Sequence, residues 1–150
     1  MIIQTECGPL FKDDVSNDEL KAIKIVKTIE GDVIMLNYLN NLYIAKQMFE
    51  AGKGKLQEDE NLVQMFEEFG YSKEFMKLIG GVETTGAALL ALSLFNKKFN
   101  QAGALLVGGV MLGAIYSHLK AGQGYEATKN ARNILALNTT SFLASLKDDK

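Results

Sequence analysis

The stretch FMKLIGGVETTGAALLALSLFNKKFNQAGALLVGGVMLGAIYSHL, residues 75–119, decides the fold. Its first arm, residues 75–95, is interrupted by only two charges, Lys77 and Glu83. That run is close to the ~20 residues a helix needs to cross a bilayer. Asn96, Lys97 and Lys98 make a polar turn. The second arm, residues 102–116, has no polar side chain except the terminal tyrosine hydroxyl, and it reaches spanning length with Ser117, His118 and Leu119. The two arms read as a helical hairpin.

Outward from the hairpin, the apolar residues repeat at three and four, and no alternating run bounded by a two-residue turn is present. The chain reads as helical throughout. Its one proline, Pro9, lies near the start, so nothing after it forbids long helices. Residues 1–15 read as a tail. Ser16 and Glu19 have capping-box spacing and are expected to open a helix reaching about residue 30. A second helix is expected over residues 33–51, stopped by Gly52-Lys53-Gly54. Leu36, Leu39, Tyr43, Ile44, Met48 and Phe49 form its candidate buried stripe. Glu58, Asp59 and Glu60 open a short amphipathic helix that Gly70 ends, with Leu62, Val63, Phe66 and Phe69 on one face. After Gly122-Gln123-Gly124, residues 126–146 form the last helix, with Ala131, Ile134, Leu135, Phe142 and Leu146 on its apolar face.

Composition narrows the function classes. With 16 basic and 18 acidic residues spread along 150 positions, and net charge −2, the chain lacks the clustered Lys and Arg that nucleic-acid binding needs. Cys7 is the sole cysteine, which excludes an intramolecular disulfide or a cysteine metal cage, and one histidine with it builds no transition-metal site. No Gly-x-Ser-x-Gly elbow is present, so no nucleophilic triad is expected. The first thirty residues mix acids and lysines with short apolar pieces, so no cleaved export signal is expected.

Several pieces carry a family resemblance. Phe49-Glu50-Ala51-Gly52-Lys53-Gly54-Lys55-Leu56 places an aromatic, a glycine and a lysine at a helix end, and Met65-Phe66-Glu67-Glu68-Phe69-Gly70-Tyr71 follows as a short amphipathic segment ending in glycine. Ile79-Gly80-Gly81-Val82-Glu83-Thr84-Thr85-Gly86-Ala87 is the most specific piece, and residues 111–119 complete the set. Together they resemble the DoxX-like family of small bacterial membrane proteins. The resemblance implies an all-α four-helix bundle over residues 31–150, with residues 1–30 as an extension carrying a short helix. It also implies a multi-pass protein of the bacterial inner membrane, in contact with lipid. Its expected role is that of an accessory subunit to a partner oxidoreductase in a quinone-linked redox or redox-defence system, not an enzyme by itself, with quinone as ligand and no intrinsic cofactor. Two features depart from the family: its first and fourth helices are ordinarily more apolar than residues 33–51 and 126–146. A homo-oligomer that pairs them stays open, as does the alternative of a soluble or peripheral helical-bundle binding protein, cytoplasmic, with the hairpin as its buried core. Placing both termini and Lys97-Lys98 in the cytoplasm gives that side the larger share of lysines.

Candidate site residues follow from cost. A carboxylate within a span is expensive unless it pairs, faces the interior or meets water, so Glu83 is the first candidate catalytic residue; the structural alternative is a hydrogen bond to Thr84, Thr85 or a neighbouring helix. His118 is the second, as proton carrier, quinone partner or haem ligand, against ordinary interfacial placement. Counted from Lys98, Glu83 lies about 7 Å nearer the turn than His118, so direct contact is not expected. Glu83 is expected against Gly109 or Gly113, with Lys53, Lys55 or Glu50 near the mouth. Lys53, Lys55 and Lys77 are candidate ligand-binding cations; for the loop that holds the first two, a helix cap with solvated lysines is the competing reading. Gly109, Gly113 and Ser117 form a small-residue stripe expected to serve helix packing.

Overall fold

The computed structural model describes residues 16–147, and the expected tail with Cys7 lies outside them. The described chain is all helical. Helix α1 (Asn17–Leu56) is followed by α2 (Glu60–Glu68), α3 (Lys73–Ala91) with a 3-10 turn (Leu92–Leu94), α4 (Lys97–Lys120), the single-turn α5 (Gly124–Ala127) and α6 (Lys129–Lys147).

The capping box forms as expected: Ser16 N–H donates to Glu19 Oε2 at 3.0 Å, and Glu19 N–H donates to Ser16 Oγ at 3.3 Å. Two other expectations about α1 are corrected. It does not break near residue 31, because one mid-helix glycine costs only about 1 kcal/mol relative to alanine and no proline intervenes. It also runs one turn past Gly52 and Gly54, which stay helical. The helix belongs to two units, one ending at Leu36 and the other beginning at Asn37. In the first, Leu20, Ile23, Val26, Ile29 and Val33 are all exposed.

In the second unit, caps follow composition. Asp59 accepts from Asn61 N–H and Leu62 N–H at the start of α2, Ser72 accepts from Phe75 N–H at the start of α3, and Asn96 accepts from Lys98 N–H at the start of α4. Gly70, at φ +81°, turns the chain between α2 and α3, a conformation that favours glycine. Core side chains come from four helices: Ile44, Ala45 and Met48 of α1, Ala87 and Leu90 of α3, Ala104, Val107 and Met111 of α4, Ala131 and Ile134 of α6. Helices α3 and α4 touch through glycines. A Cβ on Gly103 would lie 3.0 Å from Leu89 Cβ and 3.1 Å from the Gly86 carbonyl oxygen.

The polar residues of α1 and α6 resolve in an unexpected way. Asn41, Asn100, Asn138 and Ser141 are buried, whereas Leu39, Tyr43, Phe49 and Leu146, expected in the core, are exposed. Asn41 Nδ2 donates to Ser93 Oγ at 3.0 Å, the Ser141 hydroxyl donates to Asn41 Oδ1, and Asn138 Nδ2 donates to the Ala104 carbonyl at 2.8 Å. These bonds join α1, the 3-10 turn, α4 and α6 from within.

Candidate functional site

The site begins where α1 crosses α3. A Cβ on Gly52 would lie 2.7 Å from the Gly80 carbonyl oxygen, and one on Gly80 would lie 2.9 Å from the Gly52 carbonyl oxygen. Only glycine at both positions allows that approach. One turn along each helix, the approach brings Lys55 to Glu83. Lys55 Nζ donates to Glu83 Oε1 at 2.9 Å and to Oε2 at 2.8 Å. Their side chains are only 10% and 3% exposed, so the pair is set almost wholly inside the protein. Taking both charges out of water costs several kcal/mol each, and only close, doubly hydrogen-bonded geometry offsets it. Of the three neighbours expected near Glu83, Lys55 is its partner, through a bond to a neighbouring helix, while Lys53 is exposed.

This pair lines one wall of a cavity of about 710 Å³ formed by α1, α2, α3, α4, α5 and α6. Ile79 and Val82 of α3, and Leu106, Val110 and Ala114 of α4, supply apolar wall. An aromatic group forms another part of the wall, and its Phe66 ring lies 6.0 Å from Lys55 Nζ. Phe69 and Tyr71 stand 6.4 Å apart between ring centres, Tyr71 and Phe75 4.9 Å, and the His118 imidazole meets the Phe69 ring edge-on at 5.0 Å. Gly70 makes the group possible by letting Tyr71 N–H reach back to the Phe66 carbonyl at 2.9 Å.

Several polar groups on the wall already have partners. Ser117 Oγ donates to the Gly113 carbonyl at 2.8 Å, so the Tyr71 hydroxyl, 3.1 Å from Ser117 Oγ, is the donor between the two. His118 Nδ1 lies 2.6 Å from Gln123 Oε1, and Gln123 Nε2 donates to Glu68 Oε2 at 3.3 Å. Glu83 and His118 thus line one cavity without touching, each held by a different partner.

The remaining candidates fall elsewhere. Lys77 pairs with Glu58 on the exterior, with side chains 47% and 44% exposed, and its hydrogen bond holds the Glu58 carboxyl below its ordinary range. Gly109 and Gly113 do not pack a helix, since a Cβ on either would meet nothing within 4 Å. Both border the cavity instead. Tyr71 and Gln123 were not singled out from the sequence. The aromatic spacing of Phe66, Phe69 and Tyr71 was a usable signal for the first, and nothing local marked the second.

Comparison with known proteins adds one match. The model of the DoxX-like family matches residues 40–141, which takes in all of α2, α3, α4 and α5, the bundled part of α1 and α6 as far as Ser141. No curated protein and no solved structure matches the chain.

Proposed function

The chain belongs to the DoxX-like family, and from that premise we propose that it is a multi-pass inner-membrane accessory subunit of a quinone-linked redox system, whose cavity holds the ring of a lipophilic quinone. The family is membrane-associated, and two helical stretches, Lys73–Leu94 and Lys97–Lys120, are long and apolar enough to cross a bilayer. Only 33% and 28% of their most apolar windows are buried, which suits helices facing lipid better than the core of a soluble protein. The polarity of the other two helices supports the same reading. Leu39, Leu42 and Phe49 of α1 and Leu137, Leu143 and Leu146 of α6 are exposed while Asn41, Asn138, Ser141 and Ser145 are buried. Such an arrangement loses stability in water, at roughly 25 cal/mol per Å² of apolar surface left exposed, and loses none in hydrocarbon.

The observation that carries the ligand reading is the cavity itself. Its volume of about 710 Å³ lies within the ~300–1,000 Å³ of small-molecule sites, and its mainly apolar wall carries a few fixed polar groups. A flat, weakly polar ring on an isoprenoid-like tail fits that chemistry. The Lys55–Glu83 pair gives a fixed dipole beside the ring, and the aromatic group gives it stacking surface. The residues on the wall bind and orient a ligand; the electron chemistry belongs to the ligand and to a partner oxidoreductase.

Gly109 supplies the test, because a side chain there enters open space at the cavity border. Decylubiquinone is expected to raise the unfolding temperature of the purified protein in detergent in a saturable way, and Gly109→Leu is expected to abolish that rise while the ligand-free unfolding temperature stays close to wild type. A rise of equal size in both proteins contradicts occupancy of the cavity.

A further inference from the structure

The hydrogen bonds around His118 bear on which form of such a ligand the cavity takes. Glu68 is a carboxylate and accepts hydrogen bonds, so the Gln123 amide must turn its NH2 toward Glu68 and its carbonyl toward His118. A carbonyl at 2.6 Å from Nδ1 requires a proton on Nδ1. In the neutral ring this fixes Nε2 as a bare acceptor. No other hydrogen bond to that ring is made by the described residues, and His118 lines the cavity beside Phe69.

Several other polar groups on the cavity wall are engaged with one another. Lys55 gives two of its three ammonium protons to Glu83, Tyr71 donates to Ser117, and Ser117 donates to Gly113. Glu50, Tyr116 and Asn130, which also border the cavity, are exposed, and Gln47 is half-buried. On the His118 ring itself the open hydrogen-bonding position is an acceptor. A quinone carbonyl brings only acceptors to it, whereas a hydroquinone brings an O–H.

We infer that the cavity selects a hydroxyl-bearing aromatic ligand, the reduced hydroquinone form, through its O–H donated to His118 Nε2, with Gln123 as the positioning residue that fixes the tautomer. This rests on the reading of the cavity as a quinone-class site. Binding is the whole of the claim; no electron or proton is transferred in it.

The test compares decylhydroquinone, its O,O′-dimethyl ether and the parent quinone on the full-length protein in lipid nanodiscs, under anaerobic reducing conditions for the hydroquinone. A hydrogen bond of ordinary net strength gives the hydroquinone about a tenfold advantage over the ether. His118→Phe keeps an aromatic ring against Phe69 and is expected to erase that advantage while leaving ether binding unchanged. Gln123→Leu is expected to shrink the advantage with the imidazole still in place. Equal affinity of hydroquinone and ether for the wild type, or an advantage that survives in His118→Phe, overturns the inference and leaves the cavity reading intact. Failure of all three ligands to bind removes both.

Discussion

Replacing Lys55 by methionine is expected to lower the unfolding free energy by about 3–5 kcal/mol, because it leaves the Glu83 carboxylate buried without its cation. Both Glu83 oxygens receive a hydrogen bond from Lys55 Nζ, and Glu83 is only 3% exposed, so no solvent stands ready to replace the lost partner. Glu83→Ala should cost a similar amount by stranding the ammonium. The double variant Lys55→Met with Glu83→Leu removes both charges together and is expected to recover wild-type stability or exceed it. Reversible unfolding in mixed micelles, followed by helical circular dichroism, measures all three. Single variants within about 1 kcal/mol of wild type would show that the two charges do not depend on each other.

The glycine contact beneath that pair predicts effects of opposite sign at positions that look alike in the sequence. Gly52→Ala and Gly80→Ala each place a Cβ under 3.0 Å from a backbone oxygen of the facing helix, so α1 and α3 must separate. Overpacking of that kind costs about 1–3 kcal/mol, and separation also weakens the Lys55–Glu83 bonds. Gly109→Ala and Gly113→Ala meet nothing within 4 Å and are expected to gain up to about 1 kcal/mol from helix propensity alone. The same unfolding measurement separates the two pairs. Destabilisation at Gly109 and Gly113 equal to that at Gly52 and Gly80 would place the tight helix contact on the wrong side of the molecule.

Those glycines mark where the sequence ceases to be legible. The four-residue spacing of Gly109, Gly113 and Ser117 signals a small-residue face, yet spacing carries no information about which direction that face points. In the fold it points at the cavity. Gly52 and Gly54 carried a helix-stop signal, and the stop fails because Gly52 serves instead as the contact with Gly80, twenty-eight positions away. Lys55 is one of three residues the sequence places near Glu83, and only the extra turn of α1 selects it over Lys53 and Glu50.

Other features depended on local chemistry alone and were readable. The Ser16–Glu19 box, the acidic opening of α2, the stop at Gly70 and the hairpin turn at Asn96 all rest on residues a few positions apart. Glu83 was conspicuous because a carboxylate within an apolar run needs a reason, and His118 because it is the sole histidine. The expected inward face holds at Ile44 and Met48 of α1 and at Ala131, Ile134, Leu135 and Phe142 of α6, and fails at Leu39, Tyr43, Phe49 and Leu146. Periodicity assigns the apolar face to the interior, a rule derived for helices in water. Here Asn41, Asn138 and Ser141 occupy the interior, and Leu39, Phe49 and Leu146 do not.

Everything proposed for the cavity presupposes that Lys73–Leu94 and Lys97–Lys120 sit in lipid, so the most direct measurement is fractionation of the expressed full-length protein between cytosol and carbonate-washed membranes. Retention in the washed membrane pellet is the predicted result and would place the exposed leucines of α1, α3, α4 and α6 against acyl chains. Recovery in the soluble fraction would contradict the account and make the hairpin the core of a water-soluble protein.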